Sequence, residues 1–203
     1  METFPENTAL LLVDIQNDFC LRGSLAVADA DQIIPVVNRL IPRFQIVVAG
    51  HDWHPPNHAS FKQEGGPWPP HCVQHRRGAE LHPLLDNSSI AFRVYKGSLS
   101  DHDQYSEFDG TTASGEKLDD LLKKRGIATL YVVGLATDYC VRATVLDALN
   151  RGYAVYVVED AMRAVEVAAG DGRRALEEMR SGGAHIIRSR SVLAEARSNA
   201  AQG

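Results

Sequence analysis

The stretch Tyr131–Leu149, YVVGLATDYCVRATVLDAL, decides how the chain is read. It opens on a nearly continuous apolar run, the pattern of a strand covered on both faces of a sheet. A short turn follows, and helical periodicity then runs from about Tyr139 to Asn150, where Arg151 and Gly152 stop it. Cys140 therefore stands at the joint between a strand and a helix. A cysteine among Val, Leu and Ala is commonly a small buried hydrophobe. At a helix start it also meets unpaired backbone N–H groups, which offer a helix-end field and an oxyanion hole. Partners elsewhere in the chain have to decide between these two readings.

Working outward, further apolar runs fall at Ala9–Val13, Gln45–Ala49, Ile90–Tyr95, Thr129–Leu135 and Ala154–Val158, with a weaker one at His185–Ile187. Helical spacing appears at Asp29–Leu40, Gly115–Arg125 and Gly172–Arg180. This alternation predicts one α/β domain over residues 1–203, a three-layer α/β/α sandwich with a mostly parallel six-stranded sheet joined by right-handed crossovers. Residues 51–85 break the rhythm: within them DWHPPNHASFKQEGGPWPPHCVQHRRGAELHP, residues 52–83, is rich in Pro and His and has no helical period. A loop this long in a compact domain is functional or disordered, and its aromatics and histidines favour function. The small-residue tail from Leu193 to Gly203 is expected to fray at its end.

A chain of 203 residues can bury a self-sufficient core. Its net charge of −5 and lack of a basic cluster argue against a nucleic-acid surface. Glu2 and Glu6 stand where a secretory signal carries positive charge, and no run reaches the roughly 20 apolar residues of a membrane helix. Cys20, Cys72 and Cys140 cannot all pair internally and lack zinc-knuckle spacing, which points to free thiols in a reducing cytoplasm. The expected partner is a small molecule, and the apolar helix faces leave room for a homo-oligomer.

Several polar residues fall at the ends of these strands, where open α/β sheets border a ligand crevice. Asp14 ends the first run and either lines that crevice or caps the following turn. Asp52 and His54 follow the second run with one residue between them, so both side chains can face one way and hold a divalent ion such as Zn, Mn or Fe. The loop offers His58, Glu64, His71 and His75 as further ligands or as hydrogen-bonding residues. Lys96 follows the third run and is either a solvated charge or a crevice cation that stabilises a thiolate.

Together these blocks resemble the nicotinamidase/pyrazinamidase group of isochorismatase-like cysteine hydrolases. The resemblance rests on LLLVDIQNDFCLRGSLAV, HDWHPPNHASF, WPPHC, VYKG and GLATDYCVRATVLDAL, which occur in the family's order across about Ala9–Asp160. It implies a catalytic set of Asp14 as general base, Lys96 as electrostatic member and Cys140 as nucleophile. The backbone N–H groups of Ala136 and Cys140 would form the oxyanion hole, with a cis peptide entering Ala136. One divalent ion, zinc first with manganese or iron as alternatives, would be held by Asp52, His54 and His71. Glu64 would be the fourth ligand ahead of His58. Phe19 and Trp68 would wall a pyridine pocket, with Leu25, Leu135 and Tyr139 as neighbours. The implied activity is hydrolysis of nicotinamide, and also of pyrazinamide. The alternatives are another amidase of the same superfamily and a non-catalytic, metal-dependent binding domain.

Overall fold

The computed structural model describes residues 3–198, with side chains described to residue 194. Six strands form one sheet: β1 (Thr8–Val13), β2 (Ile46–Asp52), β3 (Phe92–Lys96), β4 (Thr129–Leu135), β5 (Ala154–Arg163) and β6 (His185–Ile187). Their order is β3-β2-β1-β4-β5-β6, and every neighbouring pair is parallel. The helices are α1 (Ile34–Leu40), α2 (Leu118–Lys124), α3 (Arg142–Asn150), α4 (Asp171–Ser181) and α5 (Ser189–Ser198).

Successive side chains on a strand point to opposite faces, and β1 divides its buried residues accordingly. Leu10 and Leu12 pack with Ile34, Val37 and Leu40 of α1 and Val192 of α5. Ala9, Leu11 and Val13 pack with Leu121 of α2, Val145 of α3 and Met179 of α4. The result is the expected three-layer α/β/α sandwich. Among the described residues no helix is long and apolar enough to cross a membrane.

Two expectations change. Strand β2 runs on through Asp52 instead of ending at Ala49, so Asp52 is a sheet residue paired in register with Lys96. The helical pattern from Asp29 splits into a 3-10 turn at Ala30–Ile33 followed by α1, because Pro35 fits only the first turn of a helix. The start of the small-residue tail, Leu193–Ser198, belongs to α5, which Val192 anchors in the core while Arg43 Nη2 donates to Leu193 O at 3.2 Å. The rest of that tail lies outside the described residues.

The sheet order reverses direction between β1 and β4, and in an open α/β sheet that switch point is where the crevice opens. Here the two strands approach closely. Gly134 has φ of +121°, and a Cβ on it would lie 2.0 Å from Val13 O. A side chain would therefore clash with backbone and force a left-handed conformation. Gly134→Ala is expected to destabilise the fold by about 2 kcal/mol or more, read as a drop of several degrees in thermal midpoint; an unchanged midpoint would contradict this packing.

Candidate active site

Three adjacent strands deliver their C-terminal residues to one point. Asp14 follows β1, Asp52 ends β2 and Lys96 ends β3. The Lys96 ammonium, fully buried, donates to Asp14 Oδ2 at 2.7 Å and to Asp52 Oδ1, and lies 3.6 Å from Cys140 Sγ. A fourth group, which sequence reasoning missed, is the buried carboxyl of Glu107, with Oε1 3.7 Å from Lys96 Nζ. Its local sequence, QYSEFDG, resembles any acidic surface loop.

Burial opposes a charge on Lys96, but Asp14 and Asp52 outweigh it and hold the ammonium well above its ordinary value. Burial likewise works against Asp52, but Lys96, His54 and His71 hold its carboxyl well below the usual range. At Asp14 burial prevails over Lys96 and raises the carboxyl, which makes it the more basic acceptor. Cys140 differs from expectation. Burial pushes its thiol well up despite Lys96, whose charge is taken by two nearer carboxylates. Burial thus favours the neutral thiol at Cys140.

The backbone leading to Cys140 is also specific. The Leu135–Ala136 peptide is cis, as the resemblance implies. Thr137–Val141 form a single π-helical turn ahead of α3, a device that often marks functional sites. Asp138 in that turn accepts from Val165 N and Glu166 N, both at 2.9 Å. All three cysteines are unpaired and buried, so burial alone does not single out Cys140. What does is that Cys140 lines a cleft.

That cleft is bounded by Phe19, Leu25, Trp68, Ala136, Tyr139 and Cys140, with Asp52 and His71 at one side. Trp68 meets Tyr139 edge-on at 5.2 Å, and its Nε1 donates to Tyr105 OH at 3.3 Å. Tyr105 and Val165 complete the lining and were not foreseen, because neither belongs to a recognisable block. Leu135, expected in the pocket, is instead fully buried in the core, because strand alternation turns it away from the cleft.

Of the proposed metal ligands, Asp52, His54 and His71 converge. Asp52 Oδ2 lies 3.3 Å from His54 Nε2 and 3.6 Å from His71 Nε2. His54 Nδ1 contacts Gly97 O at 3.0 Å, and His71 Nδ1 contacts Pro69 O at 2.8 Å. Each Nδ1 donates to a carbonyl, which leaves Nε2, facing the carboxylate, as the ring nitrogen available to a metal. The donor set fits a divalent ion. Of the two candidates for a fourth ligand, Glu64 is exposed and outside every ligand cluster among the described residues, because it sits on a surface 3-10 turn. His58 is buried and groups with His54 and Asp103 as potential ligands, while its ring nitrogens engage Ser60 Oγ at 2.8 Å and His102 O at 3.2 Å.

Supporting residues fix this frame. The Gln16 side chain both accepts from Asp52 N at 2.9 Å and donates to Asp52 O at 2.8 Å, so it pairs with Asp52 as a neighbouring strand would. Asp18 accepts from Ser24 N through Oδ1 at 3.3 Å and, across the loop, from Cys72 N through Oδ2 at 2.8 Å, next to His71.

The isochorismatase domain family matches residues 8–191, and the chain belongs to that family. It is 45% identical over 198 residues to the nicotinamidase of Escherichia coli, covering 88% of this chain and 93% of the relative. Among solved structures, the nicotinamidase/pyrazinamidase of Acinetobacter baumannii superposes with a TM-score of 0.86 at 40% identity, covering 93% and 99% of the two chains. The pyrazinamidase of Pyrococcus horikoshii in complex with zinc gives 0.81 at 43% identity, covering 91% and 99%. The protein is an amide hydrolase, a metal- and cysteine-dependent member of the nicotinamidase family.

His71→Ala is expected to weaken zinc binding at least about tenfold, as removal of a ligand or its support does, while Glu64→Ala leaves it unchanged. Titration of metal-free protein followed by elemental analysis checks both; a loss on Glu64→Ala would reinstate the acidic fourth ligand.

Proposed function

We propose that the protein hydrolyses nicotinamide to nicotinate and ammonia, and accepts pyrazinamide as well. One observation carries the reading: the thiol of Cys140 and the metal-ligand pair Asp52 and His71 open onto the same narrow cleft, between aromatic walls. A planar heteroaromatic amide fits that division, with the ring against Phe19 and Trp68 and the carboxamide at Cys140. A divalent ion, zinc in our reading, would be held by Asp52, His54 and His71, and when bound it offers a Lewis-acid site that orients a ring nitrogen or a water. An aliphatic amide would leave both the ring walls and that site unused. The loop over residues 51–85, an insertion in a single hydrolase domain, supplies His54 and His71. The three free cysteines favour a reducing, cytoplasmic setting.

In the proposed cycle Asp14 takes the Cys140 thiol proton as sulfur attacks the amide carbon. The resulting oxyanion is received by the N–H groups of Ala136 and Cys140. The C–N bond then breaks, Asp14 returns the proton to nitrogen, and ammonia leaves a thioester on Cys140. Asp14 next accepts a proton from water, whose oxygen attacks the thioester. The C–S bond breaks, Asp14 passes its proton to the departing sulfur, and thiol and carboxylate are both restored as nicotinic acid leaves and ionises. Throughout, Lys96 balances the charge that passes between Asp14 and Cys140.

Cys140→Ala is expected to lower ammonia release from nicotinamide by at least about 10³-fold while retaining ligand binding. Chelation should suppress the wild-type rate, and metal add-back should restore it. A Cys140→Ala protein that releases ammonia near the wild-type rate would overturn the assignment.

A further inference from the structure

Gly50 and Glu107 compete for one volume. A Cβ on Gly50 of β2 would fall 2.1 Å from the carboxyl carbon of Glu107, so the missing side chain makes the space that the acid occupies. The acid is fixed from α3 as well, since Glu107 N–H donates to Thr144 Oγ1 at 3.0 Å. Ser106 sets the turn by accepting from Phe108 N at 3.2 Å. The carboxyl group is fully buried and, like that of Asp14, faces Lys96 Nζ.

Asp14 and Glu107 both face Lys96 of β3, whose other carboxylate, Asp52, is shared with His54 and His71, and the Cys140 thiol lies alongside. With both acids ionised, Asp14 Oδ1 and both Glu107 oxygens lack any donor, a costly state for buried carboxylates. One proton between Asp14 and Glu107 removes a charge and supplies the missing hydrogen bond. Lys96 lies 2.7 Å from Asp14 and 3.7 Å from Glu107, so Asp14 is the better stabilised anion and Glu107 the better proton carrier. Burial and the Asp14 charge push Glu107 well above the usual carboxylate range, in the same direction.

We propose that Glu107 is a positioning residue of this amide-hydrolase site, a neutral acid that donates to Asp14 and thereby holds it as an oriented carboxylate beside Cys140. Its proton stays on Glu107 through the cycle, and no bond to substrate is formed. The proposal rests on Asp14 acting as the proton acceptor described above.

The test compares metal-loaded wild type with Glu107→Gln and Glu107→Leu. Two readouts are used: kcat and KM for nicotinamide against pH, and the pH profile of Cys140 alkylation by iodoacetamide. Glu107→Leu removes the donor, so kcat should fall about tenfold or more, the size of one hydrogen bond to a charged group, with KM little changed. Its alkylation midpoint should move to higher pH, because an unsupported Asp14 carboxylate disfavours the neighbouring thiolate. Glu107→Gln keeps a donor and the volume, and should rescue kcat to within about threefold and leave the alkylation midpoint in place. An ionised Glu107 would instead make Glu107→Gln shift that midpoint to lower pH, and this result, or a Leu variant equal to wild type, overturns the proposal. If the Leu variant does not fold, the Gln alkylation profile alone decides between the two protonation states. If wild type releases no ammonia from nicotinamide, the substrate reading fails, while the alkylation profiles still judge Glu107.

Discussion

A single buried ammonium holds the catalytic end of this molecule together. Lys96 is completely removed from water, yet it stays charged because Asp14 and Asp52 lie against it. An ion pair this deep contributes little as net stability, since desolvation offsets most of the attraction, but removing one partner leaves an uncompensated charge. It therefore works as a constraint: the ends of β1, β2 and β3 are held in one arrangement. Asp52 is shared between this cluster and the histidines, with one oxygen toward Lys96 and the other toward His54 and His71. The Asp14–Lys96 pair and the Asp52–His54–His71 cluster are consequently two halves of one electrostatic unit.

The sheet topology explains why such a cluster can exist. Parallel strands send all their C-terminal ends to the same edge, and the reversal of order between β1 and β4 opens the crevice there. Cys140 enters from the far side of that reversal through the π-helical turn after β4. The Cys140 thiol and the charged groups thus come from opposite sides of the switch point. Gly134 permits the close approach of β4 to β1 immediately before the turn.

The strands were legible in the sequence because both faces of a parallel sheet are buried, so each strand is an apolar run. Asp14, Asp52, Lys96 and Cys140 were legible as candidates because each interrupts or closely follows such a run. What escaped was decided by tertiary contact. Glu107 lies in a polar loop, and its burial depends on a glycine 57 positions earlier in the chain leaving it room. Glu64 has the chemistry of a ligand, but its turn faces solvent. Leu135 is adjacent in sequence to the cleft residue Ala136, yet strand alternation sends its side chain into the core. The elevated thiol of Cys140 could not be inferred from having a lysine nearby, because two other groups claim that lysine's charge first.

The most direct measurement is the folding stability of Lys96→Met against wild type, by denaturant unfolding at pH 8 and pH 5 with metal chelated. Without the ammonium, the carboxyls of Asp14, Asp52 and Glu107 have folded-state values above their unfolded ones, so the folded variant binds more protons and its deficit shrinks as pH falls. The account predicts a loss of about 3–5 kcal/mol at pH 8, the cost of breaking a buried pair, and a clearly smaller loss at pH 5. Equal stability of the two proteins at both pH values would contradict it.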